Sequence, residues 1–267
     1  VTAVCADHDV DSIVHFAAYK SVGESMSTPA KYWHNNVDGT VALIEAAAAS
    51  GVDRLVFSSS CSVYGNPPTV PVGEDAPVAP ESVYAESKAT VERVLRWYDV
   101  THGLRSIALR YFNAAGASFD GRIGEDWTYS INLIPLVMKA VLGHGPPVKV
   151  FGTDYPTPDG SAIRDYIHVE DLAAAHVRAL DALAAGAPTG ALNVGTGVGT
   201  SVLDVVAATE RVTGRDVPHE LTARRLGDPA VTYADPAGAE SVLGWRARHG
   251  LDEIVDTAYR WHRAQAG

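Results

Sequence analysis

Three short apolar runs punctuate the first part of the chain: SIVHFAA from Ser12 to Ala18, RLVFSSS from Arg54 to Ser60, and RSIALRYFN from Arg105 to Asn113. Brief apolar runs that end in small or polar residues read as buried strands. Between them the spacing changes. Tyr32 to Ser50 reads as a helix closed by Gly51, and a second helix is announced by Pro80 and Ser82, continuing from Ala89 to Trp97 with apolar positions three and four apart. Strands alternating with helices imply right-handed crossovers and a parallel sheet covered on both faces, a doubly wound α/β pattern.

After about Asn113 this rhythm is lost. Irregular stretches rich in Gly and Pro, such as GHGPPVKVFGTDYPTPDG, separate helical segments at Ile131 to Leu142 and Val169 to Ala185. The expected organisation is a sheet-forming unit over residues 1–114 and a smaller α/β unit over 115–267, with some of its segments packing back on the first.

Bulk properties narrow the function. A chain of 267 residues, 46% hydrophobic and 20% charged, has the composition of an ordinary soluble globular protein. Its formal net charge of -11 argues against a nucleic-acid partner, because phosphates are neutralised by basic patches. No apolar run is long enough to cross a bilayer, and no signal-peptide pattern opens the chain. Only Cys5 and Cys61 occur, without metal-type spacing or a disulfide framework, so a reducing, cytoplasmic setting is the default.

In open α/β sheets ligands gather beyond the carboxyl ends of the strands. That rule brings Phe16 to Lys20, Ser58 to Ser62 and Tyr111 to Asn113 to one edge, beside the helix that begins YAESK. Tyr84 and Lys88 are one turn apart and share a helix face. A phenol is a poor base at neutral pH, with a reference pKa of about 10. Positive charge from Lys88 and from a nicotinamide ring would favour the phenolate, making Tyr84 a proton acceptor. A serine hydroxyl from the neighbouring strand end would align the substrate oxygen while a hydride leaves the adjacent carbon. The plain structural alternative is a partly buried tyrosine beside a lysine stem.

The fragments HFAAYKSVGES, NNVDGT, FSSSCSVYG, YAESK, RYFNAAGA, INLIP, FGTDYPTPDGSAIRDYIHVEDLA, LNVGTGVGTSVLDV and RRLGD follow one another in this order. Together they resemble the extended short-chain dehydrogenase/reductase family, and within it the UDP-glucose 4-epimerases, over nearly the whole chain. The resemblance implies a Rossmann-like fold, bound NAD, and reversible inversion at C4 of a UDP-hexose through a 4-keto intermediate. By it, Tyr84 is the general acid/base, Lys88 holds the nicotinamide ribose, Ser60 is the partner hydroxyl and Ser62 a second hydroxyl near the sugar. Phe16, Ala17, Ala18, Tyr19 and Lys20 match the loop against the cofactor, Lys20 towards the pyrophosphate, although simple packing explains the alanines as well. Asn35 matches a helix asparagine facing the cofactor, with Asn36 beside it as the one-residue alternative. Phe112 completes the cofactor set.

For the nucleotide-sugar, Asn113, Asn132, Leu133, Phe151, Arg164, Arg225 and Asp228 match positions that surround UDP. Arginine suits a diphosphate because its planar fork donates two hydrogen bonds at once. For Arg164 the competing role is a salt bridge with Asp165 or Asp171. Thr232 matches a position where a small side chain admits an N-acetyl group. GTGVGTS, at Gly195 to Ser201, reads like a phosphate-binding loop but sits far too late for a dinucleotide fingerprint, which belongs to the first βα turn. A structural role is expected there.

The resemblance also implies that the chain enters the family pattern in the helix before the fourth strand. The first three strands and the glycine-rich turn of the cofactor site would then be missing, leaving Ser12 to Ala18 as an exposed edge, NAD binding weak and the chain a poor or inactive enzyme unless the missing part is supplied. It implies homodimerisation through the helices at Tyr32 to Ser50 and Tyr84 to Thr101. Related nucleotide-sugar 4,6-dehydratases and decarboxylases need a carboxylate beside the tyrosine's partner hydroxyl, where this chain has Cys61 and Ser62. A non-catalytic binding protein on the same fold is the alternative from outside the enzymes.

Overall fold

The computed structural model describes residues 1–225 and 228–265. Its helices are α1 (Thr2–Asp7), α2 (Val22–Ser27), α3 (Pro29–Tyr32), α4 (Gly39–Ala49), α5 (Val83–His102), α6 (Leu133–Val141), α7 (Val169–Ala184), α8 (Val202–Thr213), α9 (Ala237–Leu243) and α10 (Leu251–Gln265). The strands are β1 (Ser12–His15), β2 (Arg54–Ser58), β3 (Arg105–Tyr111), β4 (Asn113–Ala115), β5 (Val148–Phe151), β6 (Ile163–Arg164), β7 (Tyr166–His168), β8 (Gly190–Val194), β9 (Thr200–Ser201), β10 (His219–Thr222) and β11 (Val231–Thr232).

The principal sheet runs β1-β2-β3-β8, every pair parallel. Side chains alternate across it, as the two-residue period of a strand requires. Leu55, Phe57 and Ala108 pack with Ile44 and Ala47 of α4 and Val91 and Leu95 of α5. Val56, Ile107, Leu109 and Leu192 pack on the opposite face with Leu172, Ala175, Ala179 and Leu183 of α7. With both faces covered, the strands read as continuous apolar runs rather than alternating ones. The last strand of this sheet, β8, comes from late in the chain, so residues 190–194 return to the first unit.

The remaining strands form small sheets: β10-β5, β11-β6-β9 and β4-β7. A separate core gathers Ile134, Val137 and Met138 of α6, Val205 and Val206 of α8, and Ile254, Val255 and Ala258 of α10. The irregular Gly- and Pro-rich stretches therefore frame short strands over a helical core. Among the described residues no helix is long and apolar enough to cross a membrane.

Several elements end earlier than the apolar runs suggest. The strand expected over Ser12 to Ala18 stops at His15 and the one over Arg54 to Ser60 stops at Ser58, which frees Phe16 to Lys20 and Ser59 to Ser62 as loops at the carboxyl edge. The helix expected over Tyr32 to Ser50 is interrupted by a wider π-helical turn at Trp33–Asp38. In that turn Asn36 is 2% exposed and satisfies both backbone groups of Tyr19, accepting from its N–H at 2.9 Å and donating to its carbonyl at 3.0 Å. Turns of this kind concentrate at functional sites.

Candidate active site

Ser82 begins the central helix by accepting from the Ala85 N–H, and Gly103, in the left-handed region at φ 69°, closes it. The first turn of α5 is pinned twice more. The Tyr84 N–H donates to Ser25 Oγ at 3.1 Å, and Asn36 Nδ2 donates to Ser87 Oγ at 3.2 Å. Ser25, Asn36 and Ser87 thus brace the helix against the loop after β1. Ser25 and Ser87 did not stand out in the sequence, and Asn36 did so only as the alternative to Asn35, since adjacent asparagines left the buried one undecided. Asn36 is the structural member, while Asn35 is exposed and donates to Asn36 Oδ1 at 2.9 Å.

Tyr84 and Lys88 project from one face towards the end of β2. Lys88 Nζ donates to the Ser58 carbonyl at 2.7 Å and lies 4.8 Å from the Phe57 ring centre and 5.9 Å from that of Tyr84. Ser60 caps the short 3-10 turn Cys61–Tyr64, and its hydroxyl is 2.8 Å from that of Ser62. Ser60, Ser62, Tyr84 and Lys88 are therefore gathered at one place, as the carboxyl-edge rule requires.

The electrostatics bear on the expected activation of Tyr84 by Lys88 and a nicotinamide ring. Burial pushes the Tyr84 phenol well above its ordinary range, reinforced by Tyr111, and only the Ser60 hydroxyl counters it among the nearby hydroxyls. The Lys88 ammonium is itself lowered by burial, to about 8, against the opposing pull of Glu92. A desolvated phenol with no cation in contact favours its neutral form, so the adjacent lysine alone does not make Tyr84 acidic. Burial likewise pushes the Cys61 thiol to about 12, with the Arg164 guanidinium pulling it down.

The loop after β1 forms an open ledge. Phe16 is 58% and Tyr19 41% exposed, with the Phe16 ring centre 4.5 Å from that of His176 and the two planes tilted; Ala17 is exposed and Ala18 half-buried. Small and aromatic residues facing outward at a sheet's carboxyl edge suit a flat cofactor. Lys20 is exposed and reaches Glu125 at 3.5 Å. Phe112, by contrast, is buried with Val63, Tyr64, Val72, Ala89 and Ala234, and its side chain belongs to the core.

In the second half, Thr232 and Arg164 are register partners on β11 and β6. Arg164 donates to the Ile163 carbonyl at 2.8 Å and has no ion pair among the described residues; neither Asp165 nor Asp171 takes it. Thr232 is buried with a hydroxyl that has no hydrogen-bond partner among the described residues. The Arg225 guanidinium lies 4.2 Å above the Phe151 ring, and the Asp228 N–H donates to the Arg225 carbonyl at 3.3 Å. Leu226 and Gly227 of the RRLGD stretch lie outside the described residues. Asn113 Nδ2 donates to the Asp165 carbonyl at 2.9 Å. Asn132, exposed at the start of α6, donates to Glu125 at 3.0 Å, and Leu133 packs on the helical core.

The late glycine loop has a protein carboxylate in it. Asp165, fully buried, accepts from the N–H groups of Thr196, Gly197 and Ala234 and from the Thr196 hydroxyl. The anion that this loop cradles is the chain's own, which accounts for its phosphate-like sequence.

A lysine and a tyrosine on one helix, facing serines at the carboxyl edge of a parallel sheet, define the dehydrogenase/reductase class of Rossmann-like proteins. The chain belongs to the NAD dependent epimerase/dehydratase family, whose model matches residues 1–195. It is 46% identical to a UDP-glucose 4-epimerase of Bacillus subtilis over 263 residues, 98% of this chain and 78% of that one. It superimposes with a TM-score of 0.97 on the UDP-glucose 4-epimerase of Stenotrophomonas maltophila, solved with bound NAD and formylated UDP-arabinopyranose, at 43% identity over 99% of this chain and 80% of that one. For the Bifidobacterium longum UDP-glucose 4-epimerase, in complex with NAD+ and UDP, the TM-score is 0.92 and the identity 38%, over 99% of this chain and 80% of that one.

Proposed function

We propose that the protein interconverts UDP-glucose and UDP-galactose by inverting C4, with NAD as its resident cofactor. The observation that carries this reading is the placement of Tyr84, Lys88 and Ser60 at one strand end. The family and its relatives support it.

NAD, when bound, supplies the acceptor and donor of the C4 hydride, held by Lys88 and by the ledge from Phe16 to Lys20. Tyr84 takes the proton from the sugar 4-hydroxyl and later returns it. Ser60, with Ser62 behind it, hydrogen-bonds the same oxygen. Arg164 and Arg225 supply forked donors for the diphosphate, and Phe151 and Asp228 lie beside Arg225. Asn113, Asn132 and Leu133 complete the nucleotide site. Arg164 and Arg225 would anchor UDP while leaving the sugar end free to turn, so that either face of C4 could be presented. A dehydratase or decarboxylase is disfavoured because Cys61 and Ser62 stand where those reactions need a carboxylate.

The same reading divides the chain into a cofactor unit over 1–114, joined by α7 and β8, and a mainly sugar-binding unit over 115–267. Thr232, small and with a free buried hydroxyl, favours tolerance of N-acetylhexosamine substrates. Trp97 and Val100, 68% and 76% exposed on α5, favour a homodimer through α4 and α5. Free thiols at Cys5 and Cys61 suit a cytoplasmic setting.

The test is incubation of the purified protein with UDP-galactose and chromatographic detection of UDP-glucose. Conversion by wild type and its loss in Tyr84→Phe are expected; equal conversion by both would refute the catalytic assignment. UDP-N-acetylglucosamine tests the Thr232 reading in the same assay.

A further inference from the structure

Arg110 and Glu92 form a buried ion pair that the chemistry above does not use, and one end of it reaches the catalytic turn. Arg110 rises from β3 towards α5, donating from Nε to Glu92 Oε1 at 3.0 Å and from Nη2 to Oε2 at 2.5 Å. The side chains are only 7% and 10% exposed. Arg110 Nη1 also donates to the Tyr64 hydroxyl at 2.9 Å, which donates onward to Asn193 Oδ1 on β8 at 2.7 Å. At the other end, Glu92 Oε1 accepts from the Ser59 hydroxyl at 2.5 Å. Ser59 sits between Ser58, whose carbonyl holds Lys88, and Ser60, whose hydroxyl faces the Tyr84 surroundings.

We infer that Glu92 is a positioning residue for the epimerase reaction: gripped by Arg110, its carboxylate holds the Ser59 hydroxyl and so fixes the strand end that presents the Ser58 carbonyl and the Ser60 hydroxyl. The inference rests on the proposed function.

The physical case starts from cost. Taking two charges out of water carries a desolvation penalty, and a well-packed apolar pair in their place is often no less stable. What an apolar pair cannot do is hold a polar strand end at a set position. Beyond Ser58 the regular strand ends, and among the described residues the backbone tie to β3 there is the Ser59 N–H, which donates to the Leu109 carbonyl at 2.9 Å. A side-chain bond to a forked Arg-carboxylate pair supplies a second, stiff attachment, since both partners are fixed in plane. Glu92 also lies one turn beyond Lys88 on α5, on the same face, where its charge supports the ammonium. The other titratable groups near Lys88 are Tyr84 and, from β1, His15, which burial holds neutral with a pKa of about 4.

Two variants test the inference. Ser59→Ala removes the link and leaves the ion pair whole; Glu92→Gln removes the charge. For Ser59→Ala a fall in kcat of roughly tenfold is expected, the loss of one hydrogen bond to a charged group, with KM for the UDP-sugar unchanged. For Glu92→Gln a similar fall is expected, and Glu92→Asp should restore part of it. The second readout needs no turnover: in protein with ε-13C-labelled lysine, the Lys88 resonance should titrate at lower pH in Glu92→Gln than in wild type. A purely structural Glu92 would lower the melting temperature of both variants while leaving kcat and the Lys88 titration as in wild type, and that result overturns the inference. If Glu92→Gln does not fold, Ser59→Ala decides alone by its kcat. Failure of the epimerase reading shows instead as an unaffected Tyr84→Phe.

Discussion

Lys88 Nζ stands 5.9 Å from the centre of the Tyr84 ring while giving a 2.7 Å hydrogen bond to the Ser58 carbonyl, so the two groups share a helix face without touching. The phenol, raised by burial, remains protonated at neutral pH in the protein alone. On the proposed function, its activation then depends on positive charge that arrives with the cofactor. Absorbance at 295 nm, compared between wild type and Tyr84→Phe, is expected to show no Tyr84 phenolate between pH 6 and 9 without added NAD. A phenolate signal in that range would mean that Lys88 suffices.

Tyr84→Phe keeps the ring and removes only the proton-carrying oxygen. Turnover is expected to fall by about 10²–10⁴, the usual worth of a positioned acid/base group, with UDP affinity by calorimetry unchanged.

Lys88 carries a pH signature in stability. Its folded-state pKa is about 8, below the ordinary 10.5, so the unfolded chain binds more protons between those values. Stability attributable to Lys88 therefore rises as pH increases through that window and is lowest below pH 8. Urea denaturation of wild type against Lys88→Met should show the rise in wild type only.

Gly195 leaves no room for a side chain: a Cβ there would lie 2.5 Å from Asp165 Oδ2 and 2.7 Å from Ala234 Cβ. Gly195→Ala should destabilise the fold by about 1–3 kcal/mol, the cost of overpacking, as read by urea denaturation.

Arg225 is exposed, with its guanidinium over Phe151. Arg225→Ala is expected to weaken UDP binding roughly tenfold, one lost charge-assisted contact, with little change in melting temperature. Equal affinity in calorimetry would remove Arg225 from the nucleotide site.

The gathering of Ser60, Ser62, Tyr84 and Lys88 at one sheet edge was legible because strand-end polarity and helix spacing are local. FSSSCSVYG and YAESK each place their polar groups within one element, and the parallel sheet brings the elements together. The Arg110–Glu92–Ser59 chain was not legible, since it joins residues 18 and 33 positions apart that only the packing of α5 on β3 makes neighbours. Asn35 and Asn36 could not be separated either. Their difference lies in a π turn, which no periodicity announces.

By itself, then, the order of residues determined the alternating α/β pattern, the carboxyl-edge location of the site, and the Tyr84–Lys88 spacing, all of which follow from backbone periods of two and of 3.6 residues. Tertiary structure alone decided the charge states and the partners. Burial raised Tyr84 and lowered Lys88, and it gave the glycine loop to Asp165 rather than to a phosphate. Solvent exclusion and contacts across long stretches of chain are properties of the packed whole, and no local pattern encodes them.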